Sequence, residues 1–513
     1  MNFNNLKQIY KNPIVWFFLL FFFTGLIAFT DYGLGWDDEW SRSATGHVNF
    51  NYIFHSDDNL LTNNEKYHGP FIELILVFAE KLTGLTDTSD IYYLRHFILF
   101  SLFFCAVIAF YFIVKNLFGI FLGLVGCLML VLSPRIYSDA FFNSKDLAFL
   151  SLFTIGLYFF IKFIKNPTIK WALIYALISG AIIDTRILGI MLPLLTIGYL
   201  LLFILMKKLP KSSLISLLVY VFATLIFIIL FWPILWENPY HHFIAAFVEM
   251  KKFHWDGHVF FNNHPVHTSS LPWYYIPVWV SITTPLMFVS LIFLGLMIFT
   301  RKLIINPFKE IIEEFEILSV FVLLTAPVAS VVLLNSVVYD GWRHLFFIYP
   351  LLIIMSLYGI NKLINISDKI KYFKEVFFAV LFLNMIYIGF WMVKNHPHQN
   401  VYFNSFSRKY FDVGKKFELD YWGLSYKQGL EYLSENVNDT DTVVYTALNL
   451  PGKINHMILK NEKRIKLRFV EPNDSTWVYY LTNYRGAGNP ENTDLIHQII
   501  IDDIPIMGIH KRK

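Results

Sequence analysis

Residues 12–40 read "NPIVWFFLLFFFTGLIAFTDYGLGWDDEW". A nearly unbroken apolar run from Pro13 to Thr30 is followed by three consecutive acids, Asp37, Asp38 and Glu39, set between Trp36 and Trp40. The run is long and lacks a small-residue cleavage site, so it reads as a retained membrane helix and not as a removed signal peptide. Leaving a membrane does not by itself call for so much negative charge, and the acids therefore need another reason.

Composition extends the membrane reading to the whole chain. Of 513 residues, 56% are hydrophobic, 19% aromatic and only 16% charged, with 53 phenylalanines. A soluble chain of this length carries about a quarter charged residues. The net charge of +4 is too small to argue for a nucleic-acid partner. Cys105 and Cys127 both fall inside apolar segments, so no disulfide framework is expected.

A spanning helix needs roughly 20 apolar residues. The sequence predicts spans over 13–30, 91–114, 118–134, 147–161, 171–183, 187–206, 213–235, 274–300, 318–338, 345–360 and 375–393, about eleven in all. With the N-terminus cytoplasmic, the inner loops collect Lys7, Lys11, Lys115, Lys162, Lys165, Lys170, Lys207, Lys208, Lys211, Arg301, Lys302, Lys309, Lys362, Lys369, Lys371 and Lys374. The short outer turns keep only Arg135, Lys145, Arg186 and Arg343. That bias follows the positive-inside rule, and an odd number of spans puts the C-terminus outside. Residues 1–393 then form the transmembrane unit, with outer loops 31–90 and 236–272. In the first of these, "GPFIELILVFAEKLTG" (69–84) predicts a helix lying in the interface. Residues 394–513 change composition. "SYKQGLEYLSENV" has helical periodicity, while "DTVVYTA", "RIKLRFV", "TWVYYLT" and "HQIIIDDIPIMGIHK" predict strands of a small extracytoplasmic α/β domain.

Topology accounts for the inner lysines and leaves the outer charges over. "SPRIYSDAFFNSKDLAF" carries Arg135, Asp139, Lys145 and Asp146; "IIDTRILG" carries Asp184 and Arg186; "NSVVYDGWRHLFFIYP" carries Asp340, Arg343 and His344. Ionisable groups at membrane depth face a polar cavity or one another. Each turn alone reads as a solvated loop, but with "WDDEW" four of them bring acids and bases to one surface. Carboxylates suit removal of a hydroxyl proton, and Lys and Arg suit charge developing on a phosphate. Both at a lipid surface fit a lipid-phosphate substrate.

These residues resemble the GT-C membrane glycosyltransferases, specifically the bacterial relatives of protein O-mannosyltransferases and aminoarabinose transferases (glycosyltransferase family 39-like). The family pattern of an Asp-Glu pair opening the first outer loop is met by Asp38–Glu39. A second acid just before a span is met by Asp146 in "NSKDLAFLSLFTIGLYFF". "TRILG", "YDGWRHLFFIYP" and "FELDYWGLSYKQGLEYL" (417–433) look like segments of a bacterial branch, so the resemblance covers most of residues 1–433. It implies a polyprenyl-phosphate-sugar donor, an active site facing away from the cytoplasm in the inner membrane, and inverting transfer to an acceptor hydroxyl on a lipid, glycan or protein. On that pattern Asp38 is the general base, ionised at neutral pH without tuning. Glu39 holds the acceptor or a metal, and Asp37 is a neighbour that positions. Lys145 and Arg343, with Arg186 and His344, hold the donor phosphate, and Asp146 and Asp139 complete the site. The extra acid, Asp37, leaves the register of the base open by one. No cofactor is implied for certain, and a divalent metal ion stays open.

A transporter or flippase for a lipid-linked or anionic substrate is the rival class, since intramembrane charges also mark transport sites. Here the charges gather at one face and no inverted repeat is seen. A structural or assembly protein with a partner-binding tail is a third reading. His241, His242, His254, His258, His264 and His267 read as interfacial loop residues. Trp36, Trp40, Trp236, Trp255 and Trp273 read as interfacial anchors, and Arg95 and His96 as side chains that snorkel. The triplets at 438 and 473 fit glycosylation sequons by chance. From the lysine bias, a reporter fused after Lys513 is expected to be active only outside the cytoplasm; cytoplasmic activity overturns the odd-span topology.

Overall fold

The computed structural model describes residues 13–251, 255, 257–366, 370–437, 442–486 and 490–513. Lys7, Lys11, Lys369, His254 and the sequon at 438 lie outside these residues. The protein is a mainly helical, multi-pass membrane protein with a small strand-containing C-terminal region.

Helices fill all eleven apolar segments. Among the described residues eight helices are long and apolar enough to cross a bilayer, or nine if one bent pair counts as a span. Two segments differ from the expectation in a way their prolines explain. The stretch 274–300 is not one helix but Tyr275–Thr283 and Leu286–Ile305, broken at Pro285. The helix Ile120–Val131 ends at Leu132 and turns by 69° into Pro134–Phe142. That second helix occupies what the sequence reads as an outer turn, and every residue of it is buried.

The first helix, Pro13–Ala28, lies along Thr88–Phe118 through phenylalanines: the Phe21 ring is 5.4 Å from Phe100 and 6.1 Å from Phe103. Tyr32 then stacks on Phe141 at 4.6 Å, and Phe141 on Phe100 at 5.0 Å. This aromatic column fixes where the first loop leaves its helix, and so where the three acids fall.

The amphipathic segment is a helix, Phe71–Thr83, whose buried face carries two acids among the apolar residues Ile72, Leu76 and Val77. Ile75, Phe78 and Leu82 are exposed, while Glu73 and Glu80 are buried. Both acids meet Arg95: Nη2 lies 2.6 Å from Glu73 and Nη1 lies 2.9 Å from Glu80. Arg95, 2% exposed, therefore does not snorkel, and His96 is buried with Nδ1 3.0 Å from the Phe29 carbonyl. A π-helix, Ser41–His47, follows the acids. Its i→i+5 repeat places residues five apart on one face, and Arg42 and His47 both reach Glu80, at 3.1 Å and 3.6 Å.

The C-terminal strands form one sheet in the order β4-β3-β5-β7-β6, with β3 Val443–Ala447, β4 Leu467–Phe469, β5 Tyr479–Thr482, β6 Thr493–Ile501 and β7 Ile504–Arg512. β3 runs parallel to β4 and β5, and β7 antiparallel to β5 and β6. "HQIIIDDIPIMGIHK" is therefore a hairpin, turned at Asp502 and Asp503, which both adopt positive φ. A shorter ribbon, β1 His258–Phe261 with β2 His264–His267, lies in the 236–272 loop. The sheet is bolted to the helices. Asn455 exchanges two hydrogen bonds of 2.8 Å with the Leu34 backbone, Arg464 pairs with Asp87 at 2.7 Å, and the Trp391 indole donates to Asp502 at 2.8 Å.

Helix Leu286–Ile305 crosses Tyr349–Ile366 at Gly295 and Gly359, each glycine leaving room for the other's backbone. Small residues allow such close approach between membrane helices. Gly295→Leu drives a side chain into the Met355 carbonyl, an overpacking that costs about 1–3 kcal/mol. A lowered thermal midpoint in detergent is expected, with Gly198→Leu, where nothing lies within 4 Å, as the unaffected control.

Candidate functional site

The site is assembled from four segments of chain that converge on one guanidinium. Asp340 and Gly341 both take left-handed φ, 55° and 74°, and this turn sets Arg343 at the start of a helical stretch. Arg343 is 3% exposed. Its Nη1 lies 3.3 Å from Asp37 Oδ2 and 3.3 Å from Asp146 Oδ2, and its Nη2 lies 3.4 Å from Asp340 Oδ2. The flat faces are covered by Trp422 at 4.6 Å and Tyr339 at 4.7 Å, in cation–π geometry. Asp146 begins the helix Asp146–Lys165, where a negative charge suits the N-terminal dipole, and it also pairs with Arg186. Asp340 pairs in turn with Arg485, at 2.5 Å. Charges thus alternate in sign from Arg186 through Asp146, Arg343 and Asp340 to Arg485.

The three acids of the first loop have three different environments. Asp37 keeps 37% of its side chain exposed. Burial alone would raise its pKa, but Lys145 and Arg343 outweigh that and hold it at about 2. Asp38 is buried, with Oδ2 accepting from the Gly35 N–H at 2.6 Å. Burial, reinforced by nearby Glu73 and Asp37, pushes its pKa up to about 8 despite that hydrogen bond and the Arg95 charge. The expectation that Asp38 is ionised without tuning does not fit this environment, in which burial pushes its carboxyl toward the protonated form. Glu39 turns away from the others, accepting from the Tyr92 hydroxyl with Arg42 3.7 Å off.

Asp37, Asp38, Phe142, Asn143, Ser144, Lys145 and Trp422 line one narrow cleft of about 10 Å³. Lys145 stands at the N-cap of the helix Asp146–Lys165, its carbonyl accepting from the Phe149 N–H at 3.0 Å, and its amine makes no direct ion pair or hydrogen bond among the described residues. Its neighbours are pinned. The Asp146 N–H donates to Asn143 Oδ1 at 2.7 Å, and Ser144 donates to Glu73 at 2.6 Å. Asp139 is fully buried and accepts from Asn143 and from the Trp422 indole at 3.0 and 3.2 Å. His344 rests edge-on against Tyr339 at 4.6 Å.

The structure therefore gathers Asp37, Asp38, Lys145, Asp146, Arg186 and Arg343, with Asp139 behind them, and leaves Glu39 facing elsewhere. It adds Trp422, Arg485 and Glu65, none of which the sequence reading placed. Glu65 pairs with His68 at 2.6 Å and lies within the field of Lys145. Trp422 belongs to "FELDYWGLSYKQGLEYL", a segment visible in sequence without a role. Among the described residues no group of three or more His, Cys, Asp or Glu is placed to hold a metal ion.

Breaking a buried ion pair by removing one partner typically costs about 3–5 kcal/mol, because a buried charge is left behind. Arg343→Ala leaves three carboxylates around an empty space and is expected to lose stability on that scale. Lys145→Ala breaks no direct ion pair and, removing only its through-space support of Asp37, is expected to cost far less. Equal denaturation midpoints for the two variants would contradict this division.

Residues 67–236 match the family described as dolichyl-phosphate-mannose-protein mannosyltransferase. Solved structures with a similar fold include ArnT from Cupriavidus metallidurans bound to undecaprenyl phosphate, at 14% identity and TM-score 0.49, covering 96% of this chain and 97% of that one. The same protein in the apo state gives 12% and 0.48, covering 97% and 98%. The archaeal oligosaccharyltransferase AglB from Archaeoglobus fulgidus, in complex with an inhibitory peptide and a dolichol-phosphate, gives 10% and 0.44, covering 81% of this chain and 61% of that one. No curated protein matches the chain.

Proposed function

Taking the chain as a GT-C superfamily membrane glycosyltransferase, as the family match supports, we propose that it transfers a sugar from a polyprenyl-phosphate-linked donor to an acceptor hydroxyl. The observation that carries this reading is a half-buried Asp37, its pKa held low by Lys145 and Arg343, sharing a narrow cleft with a Lys145 amine that makes no direct ion pair among the described residues. One supplies a proton acceptor, the other a counter-charge for a phosphate.

The acceptor oxygen bonds to the anomeric carbon while the bond from that carbon to the phosphate oxygen breaks. The electron pair of the broken bond leaves on the lipid phosphate, whose added charge Lys145 offsets. The hydroxyl proton passes to Asp37. A carboxylate this acidic is a weak base toward a resting alcohol, so the transfer comes late, when the oxygen is already bonding to carbon and has become strongly acidic. A bound phosphate beside Lys145 also cancels part of the charge that keeps Asp37 acidic. One displacement inverts the anomeric centre. Arg343, already shared among three carboxylates, orients Asp37, and only its Nε is left without a partner among the described residues. Arg186, 27% exposed, is the second phosphate cation. The site operates on the extracytoplasmic side of the cell (inner) membrane, as the lysine bias implies. Asp38 acts as a neutral neighbour, Glu39 as a support for the loop through Tyr92.

Transfer from a purified polyprenyl-phosphate-sugar separates the two aspartates. General-base help is worth about 10²–10⁴ in rate, so Asp37→Asn is expected to lose that much while still binding donor. Asp38→Asn replaces one neutral group by another and loses far less. The opposite ranking moves the base to Asp38, and full activity in both variants removes this mechanism. Lys145→Ala is expected to raise the donor KM.

A further inference from the structure

We infer that the C-terminal region takes part in the site through Arg485, a positioning residue that sets the Arg343–Asp37 pair from outside the membrane helices. This inference deepens the transfer reading above and rests on it.

Arg485 has a contact in each direction that matters. Its Nη2 reaches Asp340 Oδ1 at 2.5 Å, and its Nη1 donates to the Tyr421 carbonyl at 2.7 Å, one residue before Trp422. Its Nε lies 3.6 Å from Glu418, and its guanidinium lies over the Trp36 ring at 5.6 Å, one residue before Asp37. The turn that presents it is itself fixed. Tyr484 adopts a positive φ of 58°, and Asn483 donates to the Asp420 carbonyl at 2.9 Å. Asp420 accepts from the backbone N–H groups of Gly423, Leu424 and Ser425 at 2.9–3.2 Å. Two short pieces of the C-terminal region, around 420–425 and 483–485, tied together by the Asn483–Asp420 bond, thus deliver Trp422 to one face of Arg343 and Arg485 to the Asp340 carboxylate.

The consequence is electrostatic. Asp340 lies between two guanidiniums and shares its charge with both. Without Arg485, Asp340 has only Arg343 to neutralise it and draws that guanidinium away from Asp37. Asp37 also faces Lys145, His344, Tyr339 and Asp38, none of which replaces a directed bond from Arg343. Lys145 still acts on Asp37, but a carboxylate that loses one of its two cations is protonated more easily. The pKa of Asp37 then rises, and activity that needs the ionised form fails at a higher pH than in the parent.

The test uses the full chain in detergent, as Arg485→Ala and Arg485→Lys. Carbodiimide with an amine labels carboxyls through their protonated form, and peptide mapping reads Asp37 alone. In Arg485→Ala, labelling of Asp37 is expected to set in at higher pH than in the parent, and Arg485→Lys to fall between them. In the transfer assay kcat is expected to drop by up to about 10²-fold, the scale of a misplaced catalytic group, with the acid limb of the pH profile displaced upward and the donor KM little changed. Unshifted labelling overturns the inference. So does a pH profile lowered by one constant factor, because that is the signature of lost folded protein. A parent chain that transfers no sugar, yet shows the labelling shift on Arg485→Ala, removes the functional reading and leaves the coupling standing.

Discussion

A single buried positive charge organises the site. Arg343 is removed from water, and its desolvation is tolerable only because Asp37, Asp146 and Asp340 surround it and two aromatic faces close over it. Each carboxylate belongs to a different stretch of chain, so satisfying one guanidinium fixes the first loop, the start of a membrane helix and the turn at 340 relative to one another. A network of this kind specifies position strongly because partial satisfaction is worse than none. The cleft beside it inherits that rigidity. Lys145 then stands out as the cation that acts on Asp37 through space without a direct ion pair among the described residues.

A second charged knot does a different job. Arg95, Glu73, Glu80, Arg42 and His47 lock the helix Phe71–Thr83 against the π-helix and the helix Thr88–Phe118. Ser144 links this knot to the cleft through Glu73. The floor and the charge of the site are thus held by separate groups, joined at the strand of chain that carries Lys145.

Much of this was legible in the sequence, and the parts that were not have physical reasons. Apolar runs report burial in lipid directly, so helices appear in every segment where they were expected. The breaks at Pro134 and Pro285 were signalled by the prolines themselves. The charged turns singled out in the sequence converge around Arg343, and lipid makes such groups conspicuous. Which of two adjacent aspartates stays ionised was not readable: Asp37 and Asp38 differ only in how deeply the fold recesses them and which cation each faces. Arg95 misled for a similar reason, since an arginine near a helix end snorkels unless acids elsewhere in the chain come to meet it. Arg485 lies in a stretch of ordinary composition, and nothing local sets it apart from other surface arginines.

The late position of Trp422 and Arg485 in the chain has a bearing on biogenesis. Chains are made from the N-terminus, and early segments fold first. By the time the helix Phe373–Lys394 is finished, Asp37, Lys145, Asp146 and Arg343 already exist, but the Trp422 cover and the Arg485 counter-charge do not. The nascent protein therefore passes through a stage in which every membrane helix is present and the charged centre is still unsealed. Only the closing portion of synthesis brings Trp422 and Arg485 to the charged centre.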